Sequence, residues 1–183
     1  MLFRSEVSFM LGKAYLEQGQ HQPARRALEK CLKLSPQHRE ALRALAGLEV
    51  QAGRLERALE LQKRVIAANP RHLYGEWARL GDLYLALGQT AKALEASQRS
   101  LKLEPLGYLA HRNLARHFVD SGQTQKGIEE NRFLIQYYPT LDAELYLKLH
   151  EVYLKVGDET AARKTLSKAK RIFPLDNRVQ RHF

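Results

Sequence analysis

The stretch Tyr74–Pro105 reads YGEWARLGDLYLALGQTAKALEASQRSLKLEP, and its spacings recur along the chain of 183 residues. Trp77, Leu80, Gly81 and Tyr84 stand at i, i+3, i+4 and i+7. This spacing places them on one face of a helix with 3.6 residues per turn. The stretch therefore predicts an amphipathic helix with a glycine on its apolar face, where a second helix can approach closely.

The rest of the stretch predicts that second helix. Gly88 can adopt a left-handed conformation after the first helix without steric cost, and Pro105 prevents the second helix from continuing. Ala93 places a small residue opposite Gly81. Residues with side chains suited to capping follow several of the glycines, and we expect them to be N-caps of the second helices: Thr90, Thr124 and Asp158.

The same two markers recur five times in phase. Prolines stand at intervals of 34, 35, 34 and 35 residues, at Pro36, Pro70, Pro105, Pro139 and Pro174. Glycines keep the same intervals, each 17 residues before its proline, at Gly19, Gly53, Gly88, Gly122 and Gly157. Two independent markers in phase over five units indicate an internal repeat of about 34 residues.

The pattern W-x2-L-G-x2-Y, followed by glycine, a small residue and proline, resembles the tetratricopeptide repeat (TPR), a helix-turn-helix unit of about 34 residues. The resemblance covers roughly residues 5–174. It implies an all-α fold, a right-handed superhelical solenoid of five repeats forming one array over residues 1–183. The repeats run over about 5–38, 39–72, 74–107, 108–141 and 143–176, and residues 177–183 form a short C-terminal cap or a truncated next helix.

Several positions depart from the family pattern. Ser8 and His111 replace the opening aromatic residue, and Glu49 stands at a later aromatic position, where we expect it to weaken one packing contact. Gly127 occupies the small-residue position of the second helix, and His150 fills a small-residue position of the first. None of these changes alters the phase of the repeat.

The two ends carry apolar residues. Leu175, Val179 and Phe183 stand four residues apart and predict an apolar stripe of a short capping helix. The alternative is that the chain was cut from a longer array, because Leu2 and Phe3 also lack a polar capping unit. An array with uncovered ends predicts weak end-to-end self-association.

The residues predict no catalytic centre. The sequence lacks a glycine-rich phosphate loop, a nucleophile elbow, paired cysteines and a His-Glu-x-x-His motif. We expect Cys31 to be a buried, inert thiol. His111, His117 and His150 come from neighbouring units, but without companion ligands they predict no metal site. The chain is therefore expected to be non-enzymatic and to need no cofactor.

The net charge of +10 is concentrated in the predicted second helices. Residues 20–34, 54–68, 89–103, 123–137 and 158–173 carry +3, +2, +2, 0 and +3, so the remainder of the chain is neutral. In the family the first helices line the concave groove, so the resemblance places the basic excess on the convex side. A solvated outer face explains it; a nucleic-acid or anionic-surface binding face is the alternative.

No stretch of the sequence has the apolar length of a transmembrane helix, and the first ten residues show no cleavable signal pattern. We therefore expect no membrane insertion and a cytoplasmic location. A single cysteine cannot form an internal disulfide, which suits a reducing compartment.

The resemblance implies a protein-interaction scaffold that binds a partner protein or peptide, acidic ones included, in the concave groove. The family positions of the groove floor give these candidate ligand-binding residues: Arg43, Arg79, Arg112, Asn113, Arg116 and Lys148. Leu109 and Leu147 are expected to add apolar contacts.

Arg112 and Arg116 form a like-charged i, i+4 pair, which is unfavourable unless an anion faces it. That anion is either a carboxylate of a bound peptide or a carboxylate of the chain itself, such as Asp120. The resemblance to family members that clamp a C-terminal carboxylate is partial. Asn113 and Lys148 match two of the clamp positions, whereas Ala78, Asp82 and Glu144 stand at the other three.

Overall fold

The computed structural model describes residues 2–68 and 73–182. In that part of the chain all regular structure is α-helical. The helices are α1 (Leu2–Glu17), α2 (His21–Leu34), α3 (Arg39–Gln51), α4 (Leu55–Ala68), α5 (Tyr74–Ala86), α6 (Thr90–Leu103), α7 (Tyr108–Asp120), α8 (Thr124–Tyr137), α9 (Glu144–Lys155), α10 (Glu159–Ile172) and α11 (Asn177–Gln180).

The chain divides into two compact units, Met1–Ala96 and Ser97–Phe183. Within the first unit, α1 packs on α2, α2 on α3, α3 on α4 and α4 on α5. Within the second unit, α7 packs on α8, α8 on α9, α9 on α10 and α10 on α11. Each unit is thus built from helices packed against their neighbours in sequence. One continuous array over both units stays a prediction.

The turn inside each helix pair is made by the predicted glycine. Gly19 has φ 69° and Gly157 has φ 78°, a left-handed conformation that residues with a Cβ rarely adopt. The backbone N–H of Gln20 donates to the carbonyl of Tyr15 at 2.8 Å, which closes the C-terminus of α1. The predicted role of these glycines as C-terminal caps is confirmed.

The second helices end as the prolines predict. α2, α6, α8 and α10 each stop two residues before a proline, at Leu34, Leu103, Tyr137 and Ile172. A proline disfavours helical backbone in the residue that precedes it, so the helix ends there. The remaining marker, Pro70, lies outside the described residues.

The N-cap predictions are only partly confirmed. Asp158 caps α10, and its side chain accepts a hydrogen bond from the backbone N–H of Ala161 at 2.9 Å. Thr124 is the first residue of α8, whose N-cap is Gln123, and Thr90 is likewise the first residue of α6. The two threonine predictions are wrong because the chain enters these helices one residue earlier than a hydroxyl cap requires.

Small residues let paired helices approach closely. A Cβ added to Gly12 of α1 would lie 2.8 Å from Leu28 Cγ on α2. A Cβ added to Gly127 of α8 would lie 2.6 Å from Val119 Cγ2 on α7. Because Gly127 stands where the family has a slightly larger residue, the branched Val119 fills the space that it leaves.

Glu49, which was expected to weaken one packing contact, is part of an ion cluster that the sequence pattern did not indicate. Its side chain is fully buried, and Arg25 Nη1 lies 2.7 Å from Oε1. Arg54 Nε donates to Oε2, and Arg57 Nε lies 3.7 Å from Oε1. The carboxylate therefore joins α3 to α2 and to the start of α4.

Two histidines stand where the repeat pattern has an aromatic or a small residue, and both are buried with hydrogen-bond partners. His150 is buried, and its Nδ1 donates to the carbonyl of Ala162 at 3.0 Å. His111 is also buried; its Nδ1 lies 2.6 Å from Glu130 Oε2 and its Nε2 lies 2.9 Å from the carbonyl oxygen of Pro105. The His111 ring also stacks on Phe133, with centroids 3.8 Å apart.

The predicted C-terminal stripe is wrong in one part. Val179 of α11 is fully buried in the core of the second unit, whereas Leu175 is 92% exposed. Leu175 lies in the turn before α11, so the spacing of four residues does not place the two on one face. Phe183 lies outside the described residues.

Among the described residues, no helix has both the length and the hydropathy that crossing a bilayer requires.

Candidate functional site

The six predicted ligand-binding residues are divided between the two units. Arg43 of α3 and Arg79 of α5 belong to the first unit. Arg112, Asn113 and Arg116 of α7 and Lys148 of α9 belong to the second. The predicted site residues therefore form two groups, one on each unit.

In the first unit, Arg43 and Arg79 converge on one buried carboxylate. Arg43 Nη2 donates to Glu76 Oε1, and Arg79 Nη1 lies 3.3 Å from the same oxygen. The Glu76 side chain is only 4% exposed, whereas those of Arg43 and Arg79 are 41% and 49% exposed. The two guanidinium groups thus form a half-exposed cationic surface over a carboxylate of the chain itself.

Gln62 of α4 completes the bonding of this carboxylate. Its amide Nε2 donates to Glu76 Oε2 at 2.8 Å and to the Glu76 carbonyl at 3.0 Å. Glu76 lies in the first turn of α5, where the helix dipole favours a negative charge. Side chains from α3, α4 and α5 therefore meet at a single group.

The second group lies on α7 and α9. Arg116 Nε lies 3.5 Å from Asp120 Oδ2 on the next turn, and both side chains are more than half exposed. The Arg112 guanidinium carbon lies 5.8 Å from the centroid of the Tyr108 ring. Asn113 is buried. The expectation that Asp120 can neutralise part of the like-charged pair is confirmed for Arg116.

Lys148 of α9 lies between two carboxylates. Its Nζ is 3.5 Å from Glu144 Oε1 and 3.5 Å from Glu151 Oε2. The three side chains are all about half exposed, and water screens the pairs between them. Leu147 is buried in the core of the second unit, so the expected surface contact from this residue is wrong.

Sequence reasoning missed Glu76 as the partner of the first group. The i, i+3 spacing of Glu76 and Arg79 was a signal for one of the two pairs. Nothing in the local pattern indicated Arg43, which stands 33 residues before Glu76 on another helix. The buried carboxylate could be recognised only once the helices were packed.

Two further kinds of site were considered in the described part of the chain: a nucleophilic cysteine and a metal site. Cys31 is buried, and burial, followed by the charge of Glu6, raises the pKa of its thiol. The predicted burial of Cys31 is confirmed, and a thiol with a raised pKa is a poor nucleophile at neutral pH. Within residues 2–68 and 73–182, no three His, Cys, Asp or Glu side chains are grouped to hold a metal ion.

Three solved structures illustrate the likeness of this chain to known folds. MamA 41-end from Desulfovibrio magneticus RS-1 is 18% identical, with a TM-score of 0.83 over 95% of this chain and 97% of that one. TTC0263, a thermophilic TPR protein of Thermus thermophilus, is 24% identical, with a TM-score of 0.75 over 97% and 96%.

YrrB, a TPR protein with an unusual peptide-binding site, is 17% identical, with a TM-score of 0.71 over 96% of this chain and 89% of that one. These likenesses confirm the all-α helical repeat solenoid as the fold class. A search of curated proteins found no match.

The family profile described as tetratricopeptide repeat matches residues 9–72 and 78–140, which together make up more than half of the chain. Because the repeat spacing, the helix pairs with their left-handed glycines and this match agree, the chain belongs to the tetratricopeptide repeat family.

Proposed function

We propose that this chain is a non-enzymatic interaction module that binds a partner peptide through first helices, which are α3 and α5 in the first unit and α7 and α9 in the second. TPR proteins typically mediate protein–protein interaction. The observation that carries the proposal is the set of half-exposed arginine and lysine side chains on α3, α5, α7 and α9, held beside carboxylates of the same chain.

These ion pairs can be exchanged for pairs with a ligand. Exposed pairs contribute only about 0–1 kcal/mol, so a peptide carboxylate can replace Asp120 beside Arg116 at little cost. The buried Glu76 differs, since it keeps its bonds to Gln62 when Arg43 turns toward a ligand. The proposed partner is therefore an extended or helical peptide that carries carboxylates.

Selection of binders from a displayed random peptide library, followed by calorimetric titration of the best peptide, tests the proposal. Reversal of two charges in Arg112→Glu with Arg116→Glu should weaken binding about tenfold or more, because attraction becomes repulsion at two sites. The matched control, Arg26→Glu with Lys30→Glu, changes the net charge equally at two exposed positions of α2 with the same i, i+4 spacing and should bind as the parent does.

Circular dichroism should show both double variants folded, since all four side chains are exposed. If the α7 variant binds as tightly as the parent, the assignment to the first helices is wrong. The basic second helices, with nucleic acid or an anionic surface as partner, then become the better explanation of the charge.

A cytoplasmic location is part of the same proposal. A reducing compartment suits the one buried cysteine, Cys31.

A further inference from the structure

Two clefts lie between second helices at equivalent places in the two units. The first, of about 720 Å³, lies between α2 and α4 and has Leu45 of α3 in its wall. The second, of about 760 Å³, lies between α8 and α10 and has Leu149 of α9 in its wall. In the repeat numbering set by the closing prolines, Leu45 and Leu149 occupy the same position. The two clefts can therefore be compared residue by residue.

The cleft between α2 and α4 is electrically balanced. Arg57 Nη2 donates to Glu29 Oε1 across it at 2.7 Å, and Arg64 Nη2 donates to the Pro36 carbonyl at 2.9 Å. Three acidic and three basic side chains line this cleft: Glu29, Glu56, Glu60, Lys33, Arg57 and Arg64. Its three cations are therefore balanced by three carboxylates of the same lining.

The cleft between α8 and α10 is lined by Arg132, Lys164 and Lys168 and by no carboxylate. Arg132 stands at the repeat position of Glu29, and Lys164 stands at the position of Glu60. None of the three cations forms an ion pair with a carboxylate of the described residues. Two acidic positions of the first cleft have thus become basic in the second.

The wall between these cations is apolar and aromatic. Ile135 and Leu149 are buried, Tyr153 is half-buried, and the Lys168 ammonium lies 5.8 Å from the centroid of the Tyr146 ring. Tyr153 stands at the repeat position of the buried Glu49, so this unit has an aromatic ring where the first unit has a carboxylate.

The cleft is separate from the proposed peptide surface on the first helices. Each residue of an α-helix advances about 100°, so Tyr146, Leu149 and Tyr153 lie on one side of α9. Lys148 and Glu151, by the same rotation, lie on the opposite side. A ligand in the cleft between α8 and α10 would therefore leave Lys148 uncovered.

We propose that the cleft between α8 and α10 is a second binding site, which takes an acidic peptide segment with apolar residues between its carboxylates. The unpaired cations stand on both rims, Arg132 on α8 and Lys164 with Lys168 on α10. Lys164 and Lys168 are one helical turn apart, about 6 Å, which suits successive acidic side chains. The volume lies within the range of about 300–1,000 Å³ found for ligand sites.

The apolar wall favours a peptide over a nucleic acid or a lipid headgroup. A phosphate would use the three cations but would leave Ile135, Leu149 and Tyr153 without a contact. A peptide whose glutamates alternate with leucines can satisfy the rims and the wall together, because charged groups pair at the edges while apolar side chains lose water.

Fluorescence anisotropy with the full chain and a labelled peptide of alternating glutamate and leucine tests this site. The parent should bind this peptide, and a peptide with glutamine in place of glutamate should bind about tenfold more weakly or worse. Arg132→Glu with Lys164→Glu, which recreates the acidic positions of the balanced cleft, should lose binding to the same extent. The matched control, Arg26→Glu with Lys30→Glu, changes the net charge equally at two exposed positions of α2 that line neither cleft, and it should retain binding.

A gain-of-function variant makes the test independent of folding damage. Glu29→Arg with Glu60→Lys makes these two positions of the cleft between α2 and α4 basic, as they are in the other cleft, and it should add a second binding event. Equal loss in the α2 and α8/α10 variants would show that binding follows net charge alone and would overturn the proposal. Binding of phosphatidylserine vesicles or RNA through Arg132 and Lys164, without binding of the peptide, would also overturn it.

Discussion

Glu49→Gln is the substitution that best tests the packing of the first unit, because it keeps the shape of the side chain and removes its charge. Glu49 is fully buried and lies against three arginines. Removal of one partner from a buried ion pair costs about 3–5 kcal/mol, since the other partner stays desolvated. The Arg25 side chain is only 16% exposed, so it would keep most of that penalty.

The other two arginines reduce the expected cost. Arg54 and Arg57 are 43% and 48% exposed, and both can return to water when the carboxylate is neutralised. The expected loss in free energy of unfolding is therefore at the low end, about 3 kcal/mol. Urea denaturation followed by far-UV circular dichroism measures it, and urea is preferred because guanidinium salts screen the charges.

Glu29→Gln is the matched control. Glu29 also contacts Arg57, at 2.7 Å, but its side chain is 35% exposed. We expect a change of no more than about 0.5 kcal/mol from this substitution. If both variants lose less than about 1 kcal/mol, the buried ion cluster does not hold α2, α3 and α4 together.

Two further predictions concern contacts between paired helices, His111 with α8 in the second unit and Gly12 with α2 in the first. Burial lowers the pKa of His111, but the hydrogen bond to Glu130, the bond to the Pro105 carbonyl and the charge of Glu130 together raise it above the ordinary value. Protonated His111 therefore contributes its full stability below the ordinary histidine pKa, and this contribution is lost as pH rises through the raised pKa of His111. Thermal melting at a series of pH values should show this decline, and His111→Phe should remove it. Gly12→Ala should lower the free energy of unfolding by about 1–3 kcal/mol, because the added Cβ would meet Leu28. Gly47→Ala should raise it by about 0.5–1 kcal/mol, because no atom lies within 4 Å of the added Cβ and alanine favours the helix. Urea denaturation measures both changes.

The pH prediction has a structural cross-check. Both acceptors around His111, the Glu130 carboxylate and the Pro105 carbonyl, lack a proton to donate, so both ring nitrogens must carry one. Glu130→Gln should lower the pKa of His111, which nuclear magnetic resonance titration of the ring measures directly. An unchanged pKa in this variant would refute the pairing. For the glycine pair, equal effects of both substitutions would refute the close approach at Gly12.

The repeat and the helix ends could be predicted from sequence because each depends on one residue. Glycine at a left-handed position and proline after a helix act through their own backbone, so Gly19 and Pro36 located the turns without knowledge of any neighbour. The threonine caps failed for the converse reason. Whether Thr124 or Gln123 begins the helix depends on how the preceding turn enters it.

For the candidate site, the sequence predicted the types of residue but not their pairings. Arg43 and Arg79 were identifiable as cations on first helices, but their shared partner Glu76 lies on a helix whose packing the sequence does not state. The same holds for Arg132 and Lys164, which stand on two helices and line one cleft only because α8 and α10 both pack on α9. Pairings between distant residues therefore required the structure.

The carboxylate of Glu76 affects how the first unit unfolds. It belongs to the third repeat, whereas its partners Arg43 and Gln62 belong to the second. In a linear array, unfolding spreads from one repeat to the next unless their shared boundary resists. Loss of the second repeat alone would leave the Glu76 carboxylate without Gln62 and Arg43, so fraying that reaches this boundary removes both repeats in one cooperative step.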